Sequence, residues 1–429
     1  MSGDLEIDHG GVIAVDSDQL RDVGQRVMAL ASMYADARDS IERAHEIISG
    51  LPTLGGYVYL DGLRVNGQRA DELRVDAEKA GAATLLTADV FHVVELRARA
   101  DALELTDAAA AAALHARVDR LLAADERLGP IADDLFAEWE AERFEGLGSQ
   151  WDVGGLLAPF FTLGALVGVA SRHGLMLPGK PMTGTADPVK VTPVKTSHPS
   201  SPLASAEGAL KRMPTAPGAQ VAVEKYTMPG GGVRYFAYLK GTQNFLPWEA
   251  GGSEPWDMKS NAELYTGATS ASYQATVEAL EAAGAGPGDH VDLMAHSQSG
   301  LIAGRLAMES EFDVKLVMTA GSPGAPTLEE DQTLVQLGHT DDMVVGFAGG
   351  GWPSGTGSPD SFIATRVGDP TPGLQDVMLR SHHVDTYLET ARMVDESNDP
   401  RAEALDAYWT ELGTAVDVER TEYHAERKG

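Results

Sequence analysis

The sequence has no cysteine. This absence excludes disulfide bonds, iron–sulfur clusters, thiolate zinc sites and a cysteine nucleophile. Positive charge is also scarce, because 33 Lys and Arg residues face 64 Asp and Glu residues, for a net charge of −31 at pH 7. Such an acidic chain lacks the basic surface that binds nucleic acid or docks on anionic lipid. We therefore expect no nucleic-acid partner.

The first residues, Met1-Ser2-Gly3-Asp4, contain no basic region followed by an apolar run. No secretory signal peptide of the usual type is predicted, so we expect a protein that is either cytoplasmic or exported by another route. The chain has 429 residues, of which 43% are hydrophobic and 23% charged. That composition is typical of globular proteins, and the length suffices for two or three domains.

Residues 1–150 are predicted to form an all-α domain, either a helical bundle or a coiled-coil-like structure. Apolar residues recur there at alternating spacings of three and four, which places them on one stripe of a helix. The residues of this stripe are Leu20, Val23, Val27, Leu30, Tyr34, Ala37, Ile41, Ala44 and Ile48. In helix length, though not in any motif, the region resembles the helical hairpins of type VII secretion substrates. These helices therefore suggest two alternative partners, a second copy of the chain in a homo-oligomer or a secretion partner.

Two stretches without an obvious fold follow. The apolar segment 151–176 has a core, 153–170, near the lower length limit for a membrane span. This core contains four glycines and Pro159, which favours a buried or re-entrant segment, and membrane contact stays open. Residues 177–217 are rich in Pro, Ser and Thr without periodicity and are predicted to be a linker.

Residues 218–429 change to short β-rich runs separated by helical patterns. The runs cover 221–227, 233–239, 291–296, 314–319, 333–338 and 361–367. Alternation of strands with helices predicts an α/β domain with a mostly parallel sheet. A final helix, from about 400 to 416, is expected to pack on its outside.

The motif with the clearest chemistry is Ala295-His296-Ser297-Gln298-Ser299, which follows an apolar strand and precedes a helix. Such a turn forces its serine into a strained backbone conformation and presents the hydroxyl above the sheet edge. Ala295 and Ser299 occupy positions where the pattern prefers glycine, and both are small enough for the strand and helix to approach closely. The motif predicts that Ser297 is a nucleophile.

A serine hydroxyl needs an adjacent base that a carboxylate orients. The strand 333–338 is followed by Asp341-Asp342, and the strand 361–367 by His382-His383. The order serine, acid, histidine places each group just past the C-terminal end of a successive strand, which is the catalytic edge of such a sheet. Position alone does not choose between the two aspartates or between the two histidines.

An oxyanion site is predicted beside the serine. The strand 233–239 leads into Lys240-Gly241-Thr242, where Gly-Thr can aim a backbone N–H at an oxyanion. The N–H of Gln298 would supply the second donor. Loss of one such donor lowers the rate by about 10²–10³-fold in comparable enzymes.

Residues 220 to about 395 resemble bacterial α/β-hydrolases of the class 3 lipase-like type. The segments that carry the resemblance are Lys240-Gly241-Thr242, the elbow at Ser297, Ala320-Gly321-Ser322-Pro323-Gly324, Asp341-Asp342-Met343-Val344, and His382-His383 before Tyr387. The resemblance implies an α/β-hydrolase fold with Ser297 as nucleophile, Asp342 as acid, His382 as base and Thr242 at the oxyanion. The chain departs from the family pattern at Ala295 and Ser299 and lacks a proline after Val344.

Together these features predict a serine hydrolase that cleaves carboxylic esters through an acyl-enzyme intermediate, without a metal or organic cofactor. The resemblance and the apolar segment 153–170 favour lipid esters slightly over soluble ones. The long helices of residues 1–150 motivate an alternative, a secretion- or assembly-linked protein whose hydrolase-like domain is a non-catalytic binding module.

Overall fold

The computed structural model describes residues 5–9, 17–51, 58–103, 108–142, 174–348, 355–371 and 379–428. The chain divides into two compact units. The helical unit comprises residues 12–137, and the α/β unit comprises residues 1–11 together with 138–429. In sequence, the helical unit is therefore an insertion near the start of the α/β unit. The apolar segment 153–170 lies outside the described residues.

The helical unit contains α1 (Ser17–Ser49), α2 (Leu60–Leu103), α3 (Ala108–Ala124) and most of α4 (Leu128–Glu142). On α1, the small residues Gly24 and Ala31 are buried, whereas Val23 and Leu30 of the predicted apolar stripe are 48% and 45% exposed. The buried face of α1 is thus rotated from the predicted one, because small residues allow two helices to approach closely. No helix in the described ranges is long and apolar enough to cross a membrane.

The α/β unit is built around one large mixed sheet. Its strands are β1 (Glu6–Asp8), β3 (Val189–Ser197), β4 (Val221–Thr227), β5 (Val233–Leu239), β6 (His290–His296), β7 (Asp313–Ala320), β9 (Thr333–His339), β10 (Phe362–Arg366) and β11 (Asp417–Arg427). Their order across the sheet is β1-β10-β9-β7-β6-β5-β4-β11-β3. The central strands from β5 to β10 pair in parallel, and the strands on both flanks pair antiparallel. The expectation of an α/β unit is confirmed, with a sheet that is parallel at its centre and antiparallel at both flanks.

A short parallel pair joins β2 (Leu175–Met176) to β8 (Ala325–Pro326). The helices around the large sheet are α5 (Ala206–Lys211), α6 (Met258–Tyr265), α7 (Ala271–Ala282), α8 (Ser299–Glu309), α9 (Met343–Gly346), α10 (Val384–Asp395) and α11 (Pro400–Leu412).

Two apolar clusters form the core, one on each face of the sheet. Successive residues of β6 alternate between them: Leu293 and Ala295 pack with residues of α7 and α8, whereas Met294 packs with residues of α10 and α11. This alternation follows from the two-residue period of a strand. Because both faces are covered, the central strands are apolar almost throughout.

Two expectations about the domain boundaries need correction. Glu6–Asp8 is not part of a helical domain but a strand paired with β10, and three residues are too few for a periodic signal. The predicted linker 177–217 contains β3 and α5. β3 is an edge strand that pairs with β11 alone among the described strands, and an edge position tolerates its Pro193.

The parallel strands place the loops that carry the predicted site residues at one edge of the sheet. Residues 240–242 follow β5, Ser297 follows β6, Asp342 follows β9, and His382 comes after β10. Because the carboxyl ends of parallel strands lie at the same edge, residues far apart in sequence meet there.

Candidate active site

Ser297 lies on a strained turn between β6 and α8. Its φ angle is 56°, in the left-handed region that side chains rarely adopt. The Ser297 N–H donates to the carbonyl oxygen of Ala320 at 2.9 Å, which holds the turn against β7. A Cβ placed on Gly241 would lie 2.8 Å from the Cβ of Ser297. Only glycine therefore lets the loop after β5 approach the serine so closely.

Ser299 has a specific role at the position where the elbow pattern prefers glycine. Its hydroxyl donates to the carbonyl oxygen of Lys240 at 2.5 Å and accepts from the indole Nε1 of Trp256 at 2.8 Å. These bonds join the elbow to the loop after β5. Ala295 is fully buried in β6, between Leu239 and Thr319 of the neighbouring strands. Both departures from the glycine pattern are thus accommodated by the packing.

The structure brings Ser297, His382 and Asp342 together. The Nε2 atom of His382 lies 2.8 Å from Ser297 Oγ, and its Nδ1 atom lies 2.7 Å from Asp342 Oδ2. The three side chains are nearly closed to solvent, with exposures of 5%, 5% and 1%. With Nδ1–H donating to the carboxylate, Nε2 accepts the hydroxyl proton of Ser297, which is the arrangement that activates a serine nucleophile.

Asp342 is held in its ionised form. Burial by itself would raise the pKa of Asp342, but the nearby His382 and hydrogen bonds to the carboxylate outweigh it and leave that pKa below its ordinary value. The donors besides His382 are the Tyr387 hydroxyl, at 2.7 Å, and the Val344 N–H, at 2.9 Å. The carboxylate therefore stays charged and oriented at neutral pH.

The neighbouring aspartate and histidine, which position in the sequence alone did not separate from these, lie elsewhere. The Asp341 carboxylate accepts from the N–H groups of Gly368 and Asp369, at 2.7 and 2.8 Å, and burial raises its pKa. It anchors the turn after β10. His383 is exposed and stands directly before α10. Neither residue contributes to the hydrogen-bonded chain that ends at Ser297.

His382 is fixed from two sides. Its carbonyl oxygen accepts from His296 Nε2 at 3.0 Å. On the other side, Gly321 has a φ of 64°, and a Cβ there would lie 2.8 Å from His382 Cε1. The glycine after β7 therefore makes room for the imidazole. His296 is thus a packed and hydrogen-bonded neighbour of the serine.

Two residues behind the triad were not identified as functional by sequence reasoning. Tyr387 bonds to Asp342, and the His339 ring stacks on the Tyr387 ring with centroids 3.9 Å apart. His339 Nδ1 also lies 2.6 Å from the carbonyl oxygen of Ser381, and its Nε2 lies 2.7 Å from Thr390 Oγ1. Tyr387 marks the resemblance described above, but no signal in the sequence distinguishes His339 from an ordinary strand residue.

The predicted oxyanion residues flank the nucleophile. Gln298 follows Ser297 directly and precedes α8, so its N–H points out of a helix N-terminus, where negative charge is favoured. Thr242 follows Gly241, the residue in close contact with the serine. Within the described part of the chain, neither N–H has a hydrogen-bond acceptor. Two backbone donors are therefore free beside Ser297.

The buried imidazole of His339 predicts that the free energy of unfolding depends on pH. Burial lowers the pKa of His339 to about 4. Because the unfolded chain takes up this proton near pH 6.5, stability is complete above that pH and falls as the pH drops toward the folded value. From pH 6.5 to 5, we expect wild type to lose about 2 kcal/mol more than His339→Gln. Urea unfolding followed by tryptophan fluorescence measures this, since Trp256 and Trp409 are buried in the α/β unit.

The matched control is His198→Gln, because the His198 side chain is 63% exposed. Its unfolding free energy should follow that of wild type at every pH. Parallel curves for wild type and His339→Gln would contradict the assignment of a buried neutral imidazole at position 339.

No cluster of three or more His, Asp or Glu side chains suited to a metal ion occurs among the described residues. Comparison with known proteins gives no match to a family model, to a curated protein or to a solved structure. The case for a function therefore rests on the arrangement of Ser297, His382 and Asp342 and on the N–H groups beside them.

Proposed function

We propose that the protein is a serine hydrolase that cleaves carboxylic esters through an acyl-enzyme intermediate. The observation that carries this proposal is the continuous hydrogen-bonded chain from Ser297 through His382 to Asp342. The order of these groups, each following a different parallel strand, also supports an α/β-hydrolase fold of the class 3 lipase-like type.

In the acylation half, His382 Nε2 takes the hydroxyl proton of Ser297 while Oγ attacks the carbonyl carbon of the ester. The carbonyl oxygen becomes an oxyanion, which the N–H groups of Thr242 and Gln298 stabilise. His382 then gives the proton to the leaving alkoxide as the carbon–oxygen bond breaks. The alcohol departs and the acyl group stays on Ser297.

In the deacylation half, His382 Nε2 takes a proton from water, whose oxygen attacks the acyl carbon. A second oxyanion forms in the same place and collapses, which releases the carboxylic acid and returns the proton to Ser297 Oγ. Asp342 remains ionised throughout. It holds the imidazole in the reactive tautomer and stabilises the imidazolium that forms in each half.

The strain at Ser297 favours catalysis over a purely binding role. A left-handed backbone at a serine costs about 1–3 kcal/mol, and a binding surface gains nothing from that conformation. The buried, charged Asp342 is a second costly feature that is needed only if an imidazolium forms beside it. We propose further that the ester substrate is a lipid, on the basis of the resemblance and of the apolar segment 153–170.

The first test is reaction of the full-length protein with a fluorophosphonate probe, read as intact mass. We expect one adduct on wild type and none on Ser297→Ala, because the probe reacts with activated serines only. Ser310→Ala is the matched control. Its hydroxyl bonds to the carbonyl oxygen of Leu306 at the far end of α8, and its adduct should equal that of wild type.

A wild-type protein that is folded by circular dichroism yet forms no adduct would contradict the proposal and favour the binding module. If the adduct forms, turnover of p-nitrophenyl acetate, butyrate and palmitate compares short and long acyl chains. Preference for the palmitate ester supports a lipid substrate, and preference for the acetate ester contradicts it.

A further inference from the structure

The hydroxyl group of Thr242 lies between two side-chain amides. Asn261 Nδ2 donates to Thr242 Oγ1 at 2.9 Å, and Thr242 Oγ1 donates to Gln298 Oε1 at 3.2 Å. An amide NH₂ group can only donate. The single hydrogen of the hydroxyl is therefore directed at Gln298 and is not available to an oxyanion at Ser297.

The chain of hydrogen bonds continues beyond Gln298. Gln298 Nε2 donates to Ser272 Oγ at 3.3 Å, and Ser272 Oγ lies 3.0 Å from Ser270 Oγ. Ser270 in turn caps α7 by accepting from the Tyr273 N–H at 3.1 Å. Thr242 is 7% exposed, and Gln298, Ser272 and Ser270 are fully buried. Buried polar groups without partners are costly, so the donors and acceptors keep these directions.

The donor end of the chain is also fixed. Asn261 lies in α6, and its N–H donates to the carbonyl oxygen of Asp257, the residue that caps this helix. The Asp257 carboxylate is held by Arg427 through two bonds of 2.8 and 2.9 Å. The Asn261 side chain thus approaches Thr242 from a helix that is anchored to β11.

We propose that the side chains of Asn261, Thr242 and Gln298 form a clasp that positions the two oxyanion N–H groups, and that the Thr242 hydroxyl is a positioning group rather than a third oxyanion donor. The clasp joins the same two residues that supply the backbone donors. Their N–H groups are therefore held in place before substrate arrives, which is the condition under which such donors are most effective. This inference rests on the proposed function.

The test compares Thr242→Val with Asn261→Leu, using p-nitrophenyl butyrate as substrate. Each variant keeps both backbone N–H groups. Thr242→Val removes both hydrogen bonds of the clasp, and Asn261→Leu removes the one between Asn261 and Thr242. We expect kcat to fall by about 10-fold in each, less than the 10²–10³-fold for loss of a whole donor. KM should stay within about twofold, because the clasp acts on the transition state. Thr242→Ser should recover most of the lost kcat.

Thr266→Val is the matched control for removal of a threonine hydroxyl. Thr266 ends α6, and its hydroxyl bonds only to the carbonyl oxygens of Ala262 and Glu263 among the described residues. Its kcat should equal that of wild type. The double variant Thr242→Val/Asn261→Leu should lose no more activity than the less active of the two single variants, because both substitutions disrupt the same hydrogen-bonded clasp.

Asn261→Asp provides a second readout if the apolar variants do not fold. The new carboxylate accepts the Thr242 hydrogen and withdraws it from Gln298, so kcat should be low at neutral pH. At acidic pH the new carboxyl group is protonated and can again donate to the Thr242 hydroxyl. The ratio of the variant's kcat to the wild-type kcat should therefore rise as the pH falls. A ratio that stays constant with pH would contradict the clasp.

Three outcomes separate the hypotheses. If Thr242→Val lowers kcat and Asn261→Leu does not, the hydroxyl is a direct oxyanion donor and the clasp is overturned. If neither variant changes kcat while wild type still reacts with the fluorophosphonate probe, the clasp is wrong and the serine hydrolase stands. Absence of a wild-type adduct contradicts both.

Discussion

Replacement of His382 by alanine is expected to lower kcat for p-nitrophenyl butyrate by about 10⁴–10⁶-fold, whereas His383→Ala leaves kcat within about threefold. The reason is geometric, since His382 bonds to both Ser297 and Asp342 while His383 is exposed. The two variants differ by one position in the chain and serve as controls for each other. Initial rates over a range of substrate concentrations give kcat and KM for both.

The labelling rate of Ser297 by a fluorophosphonate probe should fall in the same order. His382→Ala should label very slowly, because the hydroxyl has lost its base, and His383→Ala should label as fast as wild type. Equal loss of activity in the two variants would mean that His382 is not the base. A loss confined to His383→Ala would require the loop before α10 to adopt another conformation during catalysis.

Asp342→Asn is expected to lower kcat by about 10⁴-fold at neutral pH with little change in KM, as the same replacement does in a well-studied serine protease. The Val344 N–H, which donates to Asp342 Oδ1, will hold the amide oxygen of the variant. The NH₂ group then faces His382 Nδ1 and forces the imidazole proton onto Nε2. In that tautomer the imidazole cannot accept the hydroxyl proton of Ser297. Steady-state kinetics measures the loss.

Asp341→Asn is the matched control, with a different expected result. Asp341 holds the N–H groups of Gly368 and Asp369, so its replacement should reduce stability by about 1–3 kcal/mol. The kcat of the folded protein should remain near that of wild type. A 10⁴-fold loss of kcat in Asp341→Asn, with Asp342→Asn active, would reverse the assignment of the acid.

The order of strands and polar residues was enough to name the serine and to reduce the acid and the base to two candidates each. The resemblance favoured Asp342 and His382, and the structure adds the contacts that join these two residues to Ser297. The Asp342 side chain caps α9 and accepts a hydrogen bond from the Tyr387 hydroxyl. The Asp341 carboxylate instead accepts from the Gly368 N–H in the turn after β10. These differences depend on backbone angles at a single position, which residue type does not specify.

Other features could not be predicted for different physical reasons. β1 and β3 become strands by pairing with β10 and β11, which are distant in sequence. The buried face of α1 differs from the predicted one because Gly24, which has no hydrophobic side chain, lies at the close contact with α2. The bond between Ser299 and Lys240 joins segments 59 residues apart, and no local pattern signals such a contact.

The place of β11 in the sheet affects the order in which the protein can assemble during synthesis. Among the described strands β11 is translated last, yet it lies between β4 and β3. Within the described part of the chain, β3 therefore has no partner strand until the ribosome has passed residue 427. The helical unit is continuous in sequence and can fold while translation proceeds.

This order extends to the candidate site. Arg427, at the end of β11, holds Asp257 and thereby the helix that carries Asn261. Ser297, Asp342 and His382 are all translated before that arginine. A nascent chain can thus contain every triad residue while α6 still lacks its anchor, and the arrangement around the oxyanion becomes complete only with the last strand of the sheet.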